Sequence, residues 1–251
     1  MVKFALFLVR LFKIPIKWLG VDFPQFETLL RTKLTVDFRG GPSAFQNSGR
    51  KKQTFLTQFF YFTIYGGLMC IVTNSISDLL LSLTIFFTVI MVMLTMTLIS
   101  EFTTVLFDHR DNYILLPRPV SHRTLLFLRL VHIQFYMGYI ALALSLGTGI
   151  MLAIKYKGIA VLIYFLAVGL STWLTLIFTT FIYLLISKTV EGERFKDIIT
   201  YVQVIMGVLI FAGFQFLPKV MGANILDNTT MSVQWWTYLL PPVWLAALVR
   251  V

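Results

Sequence analysis

The chain has 251 residues, 58% of them hydrophobic and 13% charged, with a mean hydropathy of +0.83. A soluble globular chain carries about 25% charged residues, so this composition excludes a soluble single domain. Ten of the 21 Lys and Arg residues behind the net charge of +10 lie in residues 1–54, a membrane-surface and topology signal rather than a nucleic-acid footprint.

Residues 3–19 combine an apolar stripe of Phe4, Phe7, Leu8, Leu11 and Trp18 with basic Lys3, Arg10, Lys13 and Lys17 on another side. This pattern predicts a helix lying in the interface of the cytoplasmic leaflet, bent or divided at Pro15. Lys13 and Lys17 interrupt the apolar region, and no small-residue cleavage pattern follows, so the segment does not read as a cleaved signal peptide. From Arg39 to Lys52 the run Gly40-Gly41-Pro42-Ser43 and Asn47-Ser48-Gly49 predicts a turn-rich linker. Residues 1–54 are thus expected to form a cytoplasmic interfacial helix and linker, and residues 55–251 a transmembrane domain.

Five long apolar stretches follow: Phe55–Thr73, Leu79–Ile99, Leu125–Ala153, Ile159–Ile186 and Ile198–Leu217. Arg129 is the one charged residue within them, and a hydrocarbon core about 30 Å thick takes about 20 helical residues. Lipid admits helices or closed barrels, and these runs lack the period-two alternation of barrel strands. The expected fold is all-α and polytopic, with five transmembrane helices. A sixth stretch, Trp235–Val249, has 15 uncharged residues and contains Pro241-Pro242, which remove backbone donors and restrict Leu240. It is expected to be a short sixth span or a re-entrant segment. With the N-terminus cytoplasmic, the inner segments hold 17 Lys and Arg and the outer connections 3, a strong positive-inside bias.

Two connections are short. Ser77 or Asp78 is placed to cap the helix beginning at Leu79, and little more than Lys155-Tyr156-Lys157-Gly158 joins the third and fourth stretches. Both imply antiparallel hairpins. Within the membrane, Gly66-Gly67 and the four-residue series Ala141, Ser145 and Gly149, with Gly138, offer small faces for close helix contact. Thr172, Thr175, Thr179 and Thr180 form a hydroxyl-rich face that lines a path or bonds within its own helix. Trp173, Trp235, Trp236 and Trp244 read as packing or interface anchors.

The connection from Ser100 to Arg129 is the most distinctive. Glu101 opens it, Phe102, Val105, Leu106 and Phe107 give a helical continuation an apolar face, and Asp108-His109-Arg110-Asp111-Asn112 follows. Pro117 and Pro119 close that segment, and Ser121 is placed to cap the next helix. A second charged connection, Ser187–Asp197, carries Glu191, Glu193 and Arg194 and is a further candidate for contact with a partner.

The run Phe107-Asp108-His109-Arg110-Asp111, then Leu115-Leu116-Pro117-Arg118-Pro119-Val120-Ser121, then Arg123 and Leu130, resembles the cytoplasmic coupling region of ABC-2 type exporter permeases. The likeness follows span order over most of residues 55–217, and Tyr238–Trp244 looks like the Pro-rich, aromatic extracellular dip after the fifth span of similar families. The resemblance implies a transmembrane subunit of an ABC transporter, in a bacterial plasma (inner) membrane, working with a second permease half as a homo- or heterodimer. It also implies a separate P-loop ATPase subunit that holds ATP and Mg, docking on Glu101 to Asn112 (Glu101, Asp108, His109, Arg110 and Asp111 among them) and driving the third span through Pro117, Ser121 and Arg123. The ending directly after the sixth stretch fits either a short last span or the N-terminal portion of a longer permease.

Independently of that likeness, the chain has no Gly-x-x-x-x-Gly-Lys-Ser/Thr loop, so it cannot itself cradle the phosphates of a P-loop nucleotide. No carboxylate lies at mid-span, which argues against a proton relay. The single cysteine, Cys70, excludes an internal disulfide and a cysteine-cluster metal site, and His109, His122 and His132 lack a compact ligand pattern. No cofactor or metal is expected in this chain. Two other classes stay open from sequence: a membrane enzyme gathering Asp108, His109, Asp111 and His122 at the cytoplasmic leaflet, and an assembly protein without transport turnover.

Overall fold

The structure, a computed structural model, describes residues 6–7, 9–10, 13–18, 20–40, 55–107, 121–156, 158–189, 197–198, 200–208, 212 and 235–250. Among these there are no strands. The helices whose two ends lie among the described residues are α1 (Lys13–Trp18), α2 (Phe23–Gly40), α3 (Phe55–Asn74), α4 (Leu79–Phe107), α5 (His122–Tyr156), α6 (Ile159–Thr189) and α7 (Pro241–Arg250), with a 3-10 turn at Trp235–Leu239. Residues 6–7 and 9–10 are helical ahead of α1.

Four helices, α3 to α6, are long and apolar enough to cross a membrane, the signature of an integral membrane protein. They match the first four stretches predicted from sequence, and three of them run well past the hydrocarbon thickness. At 1.5 Å per residue, α4 (29 residues) is about 43 Å long, α5 (35 residues) about 52 Å and α6 (31 residues) about 46 Å. Residues 198, 200–208 and 212 of the fifth stretch are helical; its remainder lies outside the described residues. The sixth stretch is broken. Its 3-10 turn gives way to the ten residues of α7, about 15 Å of helix, half of a hydrocarbon core. Pro241 and Pro242 sit at the start of α7, where a missing N–H leaves no intrahelical bond unmade.

The starts of α4, α2 and α6 have local causes. Asp78, one of the two predicted caps, accepts a hydrogen bond from the Leu80 N–H at 3.0 Å and so begins α4. Asp22 does the same for α2, its carboxylate 3.5 Å from the Gln25 nitrogen and its carbonyl accepting from Phe26 at 2.9 Å. Gly158, at φ +83°, supplies the left-handed residue that turns α5 back into α6.

The chain divides into two compact units, one drawn from Met1–Phe59 and Ser100–Met137, the other from Phe60–Ile99 and Gly138–Val251. The first unit holds α1, α2 and the opening turns of α5. The second holds most of the apolar length of the long helices together with α7, which packs against α6.

In the second unit, α3 and α5 cross with their backbones almost in contact. A side chain at Gly66 would overlap the Leu144 carbonyl oxygen, with the carbonyl carbon at 2.7 Å; one at Gly147 would stand 2.9 Å from the Gly66 oxygen and 3.2 Å from Cys70 Cβ. At the ends of the same helices the Lys155 ammonium donates to Asn74 Oδ1 at 2.7 Å, so α3 and α5 run parallel. The α3–α4 turn is stitched by Ser82, whose hydroxyl donates to the Thr73 carbonyl at 2.8 Å. Behind the crossing, the fully buried Tyr164 donates to the Ser145 carbonyl at 3.0 Å, and its ring packs on Phe86, Phe87 and Phe165.

Candidate functional site

The region that sequence singles out for communication with a partner leads into the first turn of α5. Ser121 caps that helix as expected: its hydroxyl accepts from the Thr124 N–H at 3.2 Å and its carbonyl from Leu125 at 3.1 Å. The Ser121 and Thr124 hydroxyls lie 2.7 Å apart, and Thr124, fully buried, also accepts the backbone N–H of Asp22 at 3.3 Å. The start of α5 is therefore joined to the start of α2.

The α1–α2 connection meets α5 at the same place. Gly20, at φ +76°, takes a backbone conformation that favours glycine, and a side chain there would also meet the Arg123 guanidinium at 3.3 Å. Arg123 is otherwise exposed.

Below this hydrogen-bonded junction lies an apolar cluster that sequence analysis missed. Leu6, Val9 and Ile16 from the first helical segment, Val21, Phe23, Phe26, Leu30 and Leu34 from the turn and α2, and Leu128 from α5 are all buried together, with Leu29, Phe127, Val131 and Phe135 against them. Phe26 and Leu30 are fully buried, and the Phe26 ring lies 5.5 Å from that of Phe127. Each such side chain contributes about 1.5–3 kcal/mol of burial, so the docking of α1 and α2 on α5 rests on apolar packing. Arg10, donating to Glu27 Oε1 at 2.8 Å, ties the first segment to α2, and Lys13 sits 5.6 Å from the Phe23 ring. Farther along α5, Gln58 donates to the Tyr136 hydroxyl at 2.7 Å, a buried polar link between α3 and α5.

The signal for α2 was present in the sequence. Asp22-Phe23-Pro24 is a helix start, and Phe23, Phe26, Leu30 and Leu34 repeat at three and four residues. Residues 20–38 thus continue as helix and turn where an interfacial helix followed by a linker was expected.

Of the expected coupling residues, Ser121 and Arg123 are described and adjoin this junction. Glu101 lies on α4, which continues to Phe107 as expected, and its side chain lies outside the described set. Asp108, His109, Arg110, Asp111 and Pro117 lie outside the described residues, as do Glu191, Glu193 and Arg194 of the second connection. Among the described residues, no three His, Cys, Asp or Glu side chains gather as a metal site would require.

The hydroxyl face of α6 is buried at Ser171, Thr172, Thr175 and Thr179. Ser171, Thr172 and Thr175 donate to carbonyls of their own helix, at Val168, Gly169 and Ser171 respectively, the within-helix alternative of the sequence reading. The Thr179 and Thr180 hydroxyls have no hydrogen-bond partner among the described residues.

The described residues thus join the N-terminal helices α1 and α2 to the first turns of α5. Comparison with family models, with curated proteins and with solved structures finds no match to this chain.

Proposed function

We propose that the chain is the transmembrane permease subunit of an ATP-driven exporter of the ABC-2 type, coupled to a separate ATPase through residues 101–123. The reading takes the N-terminus as cytoplasmic, residues 198–217 as a fifth span, and the broken segment 235–250 as a re-entrant dip. The observation that carries it is the mounting of α5. A helix about 52 Å long exceeds a 30 Å core by some 20 Å, and that excess includes the turns held by α1 and α2.

Such a helix suits the transmission of motion. It contains no proline, the commonest cause of a sharp kink, and its first turn is capped and clamped, so a displacement applied at Ser121 moves the helix rather than fraying its end. In this account ATP and Mg act in the partner. The charged segment 101–112 docks on the ATPase, Pro117 to Arg123 passes the closing motion onward, and α5 carries it to the α3–α5 crossing at Gly66 and Gly147. A second permease half completes the pathway, and the Ser187–Asp197 connection offers a second contact.

The test is purification of the tagged chain from its native membrane in mild detergent, with mass identification of co-purifying subunits and an ATPase assay. A stoichiometric P-loop ATPase, lost when the acidic and basic residues of 101–112 are charge-reversed, is the expected result. Recovery of the intact chain alone across several mild detergents overturns the coupling role, and metal-dependent chemistry in that preparation would favour a membrane enzyme.

A further inference from the structure

The N-terminal helical residues carry both buried and exposed apolar side chains. Leu6, Val9 and Ile16 are buried in the cluster with α2 and α5. Phe7 and Trp18, eleven residues apart in sequence, remain 64% and 87% exposed. On α2 the described exposed positions are Pro24, Gln25, Thr28, Arg31 and Thr32, none of them a large apolar side chain. Among the described side chains of these helices, the large exposed aromatics are Phe7 and Trp18.

We propose that the exposed Phe7 and Trp18 side chains seat in the headgroup layer of an anionic leaflet, so that the N-terminal helical residues hold lipid as well as α2 and α5. Three observations support that occupant. Exposed Arg10 and Lys13 accompany the aromatics, and residues 1–54 hold ten basic residues against three acidic ones, the complement of an anionic surface. Trp and Phe on a basic amphipathic segment are the side chains that partition into the headgroup boundary. The level also fits. The cluster meets α5 at Phe127, Leu128, Val131 and Phe135, and from Ile133 to Ile154 that helix is free of charged residues for about 33 Å, one hydrocarbon thickness. The cluster therefore flanks the end of the apolar run, where headgroups begin.

This inference goes beyond the exporter reading and does not depend on it, because it is tested on the chain alone. The full chain carrying Cys70→Ser and either Phe7→Cys or Trp18→Cys is labelled with a fluorophore and reconstituted in phosphatidylcholine vesicles, with and without phosphatidylglycerol. Nitroxide on the lipid and iodide in the buffer serve as the two quenchers. Both replaced side chains are exposed, so the buried cluster keeps its residues, and a thermal melt of each variant checks this.

The expected result is strong quenching by lipid nitroxide at both positions, greater with phosphatidylglycerol and reduced by high salt, while a label at Thr28→Cys is quenched by iodide instead. Lys13→Gln combined with Lys17→Gln shifts the phosphatidylglycerol content needed for half-maximal quenching upward. Labels at positions 7 and 18 open to iodide and insensitive to lipid nitroxide would overturn the proposal and leave these side chains to a protein partner. Quenching independent of lipid charge would overturn the anionic preference.

Discussion

The α3–α5 crossing makes a graded prediction with an internal control. Gly66 and Gly67 are adjacent in sequence, yet a Cβ at Gly66 overlaps the Leu144 carbonyl whereas one at Gly67 meets nothing within 4 Å. In a helix, Gly→Ala gains about 1 kcal/mol of intrinsic propensity at either position. At Gly67 that gain stands alone, so Gly67→Ala is expected to be neutral or stabilising by up to about 1 kcal/mol. At Gly66 the obstacle is backbone, which no rotamer change can move, and over-packing of this kind costs about 1–3 kcal/mol or more. Gly66→Ala should therefore be net destabilising by about 1–2 kcal/mol once the propensity gain is subtracted. Gly147→Ala, facing the Gly66 oxygen at 2.9 Å and Cys70 Cβ at 3.2 Å, should fall between the two. Cys70 lies at this crossing and is half-buried, so its reaction with a thiol-reactive dye during heating in detergent reports the separation of the helices. The order expected for dye-onset temperature is Gly67→Ala highest, then Gly147→Ala, then Gly66→Ala. Equal onset for Gly66→Ala and Gly67→Ala would refute the close crossing.

Three further perturbations probe the rest of the fold. Phe26→Ala removes a fully buried ring from the apolar cluster and should cost about 3–5 kcal/mol locally, read as faster proteolysis within residues 20–40 while α3 to α6 stay protected. Tyr164→Phe deletes the buried hydroxyl that bonds the Ser145 carbonyl and keeps the ring, so a loss of about 1 kcal/mol in a denaturant titration is expected, well short of the 3–5 kcal/mol of Tyr164→Ala. Ser121→Ala removes the cap of α5 and should cost about 1 kcal/mol, seen as faster amide exchange at Thr124 with exchange near Ile140 unchanged.

The long spans were legible because a run of some 20 uncharged residues has few alternatives to a membrane helix. The extent of α5 was legible as well, from the Ser121 cap at one end and the Lys155-Tyr156-Lys157-Gly158 connection at the other, although Arg123, Arg129 and His132 lie within the helix. The helix α2 was missed. Its Thr28, Thr32 and Thr35 carry little helix propensity, and their hydroxyls are absorbed by the carbonyls of Pro24, Thr28 and Arg31 at 2.7–2.9 Å. The four-residue series Ala141, Ser145 and Gly149 marked a buried face of α5, where Ala141 and Ser145 are indeed fully enclosed. The glycine that meets α3, Gly147, lies off that register, and Gly138 faces open space. Adjacent glycines such as Gly66 and Gly67 would project a side chain in directions about 100° apart, and sequence does not say which of the two directions is closed off by a neighbour. Around Ser121 the cap was readable from local chemistry, but the hydrogen bond from the Asp22 N–H to Thr124 joins residues 102 positions apart in sequence. The acidic and histidine-bearing stretch 108–112 belongs to the functional reading through its sequence alone.

The central claim is that an ATPase moves α5 through its clamped base. Leu126 is 61% exposed on the second turn of that helix, so an environment-sensitive label at Leu126→Cys, in a Cys70→Ser background, reports displacement without disturbing the buried cluster. In the purified complex with its ATPase, addition of ATP with vanadate should shift the label's emission, and Phe26→Ala should abolish the shift while ATP hydrolysis continues. A bound, active ATPase whose turnover leaves the label unchanged would contradict the account.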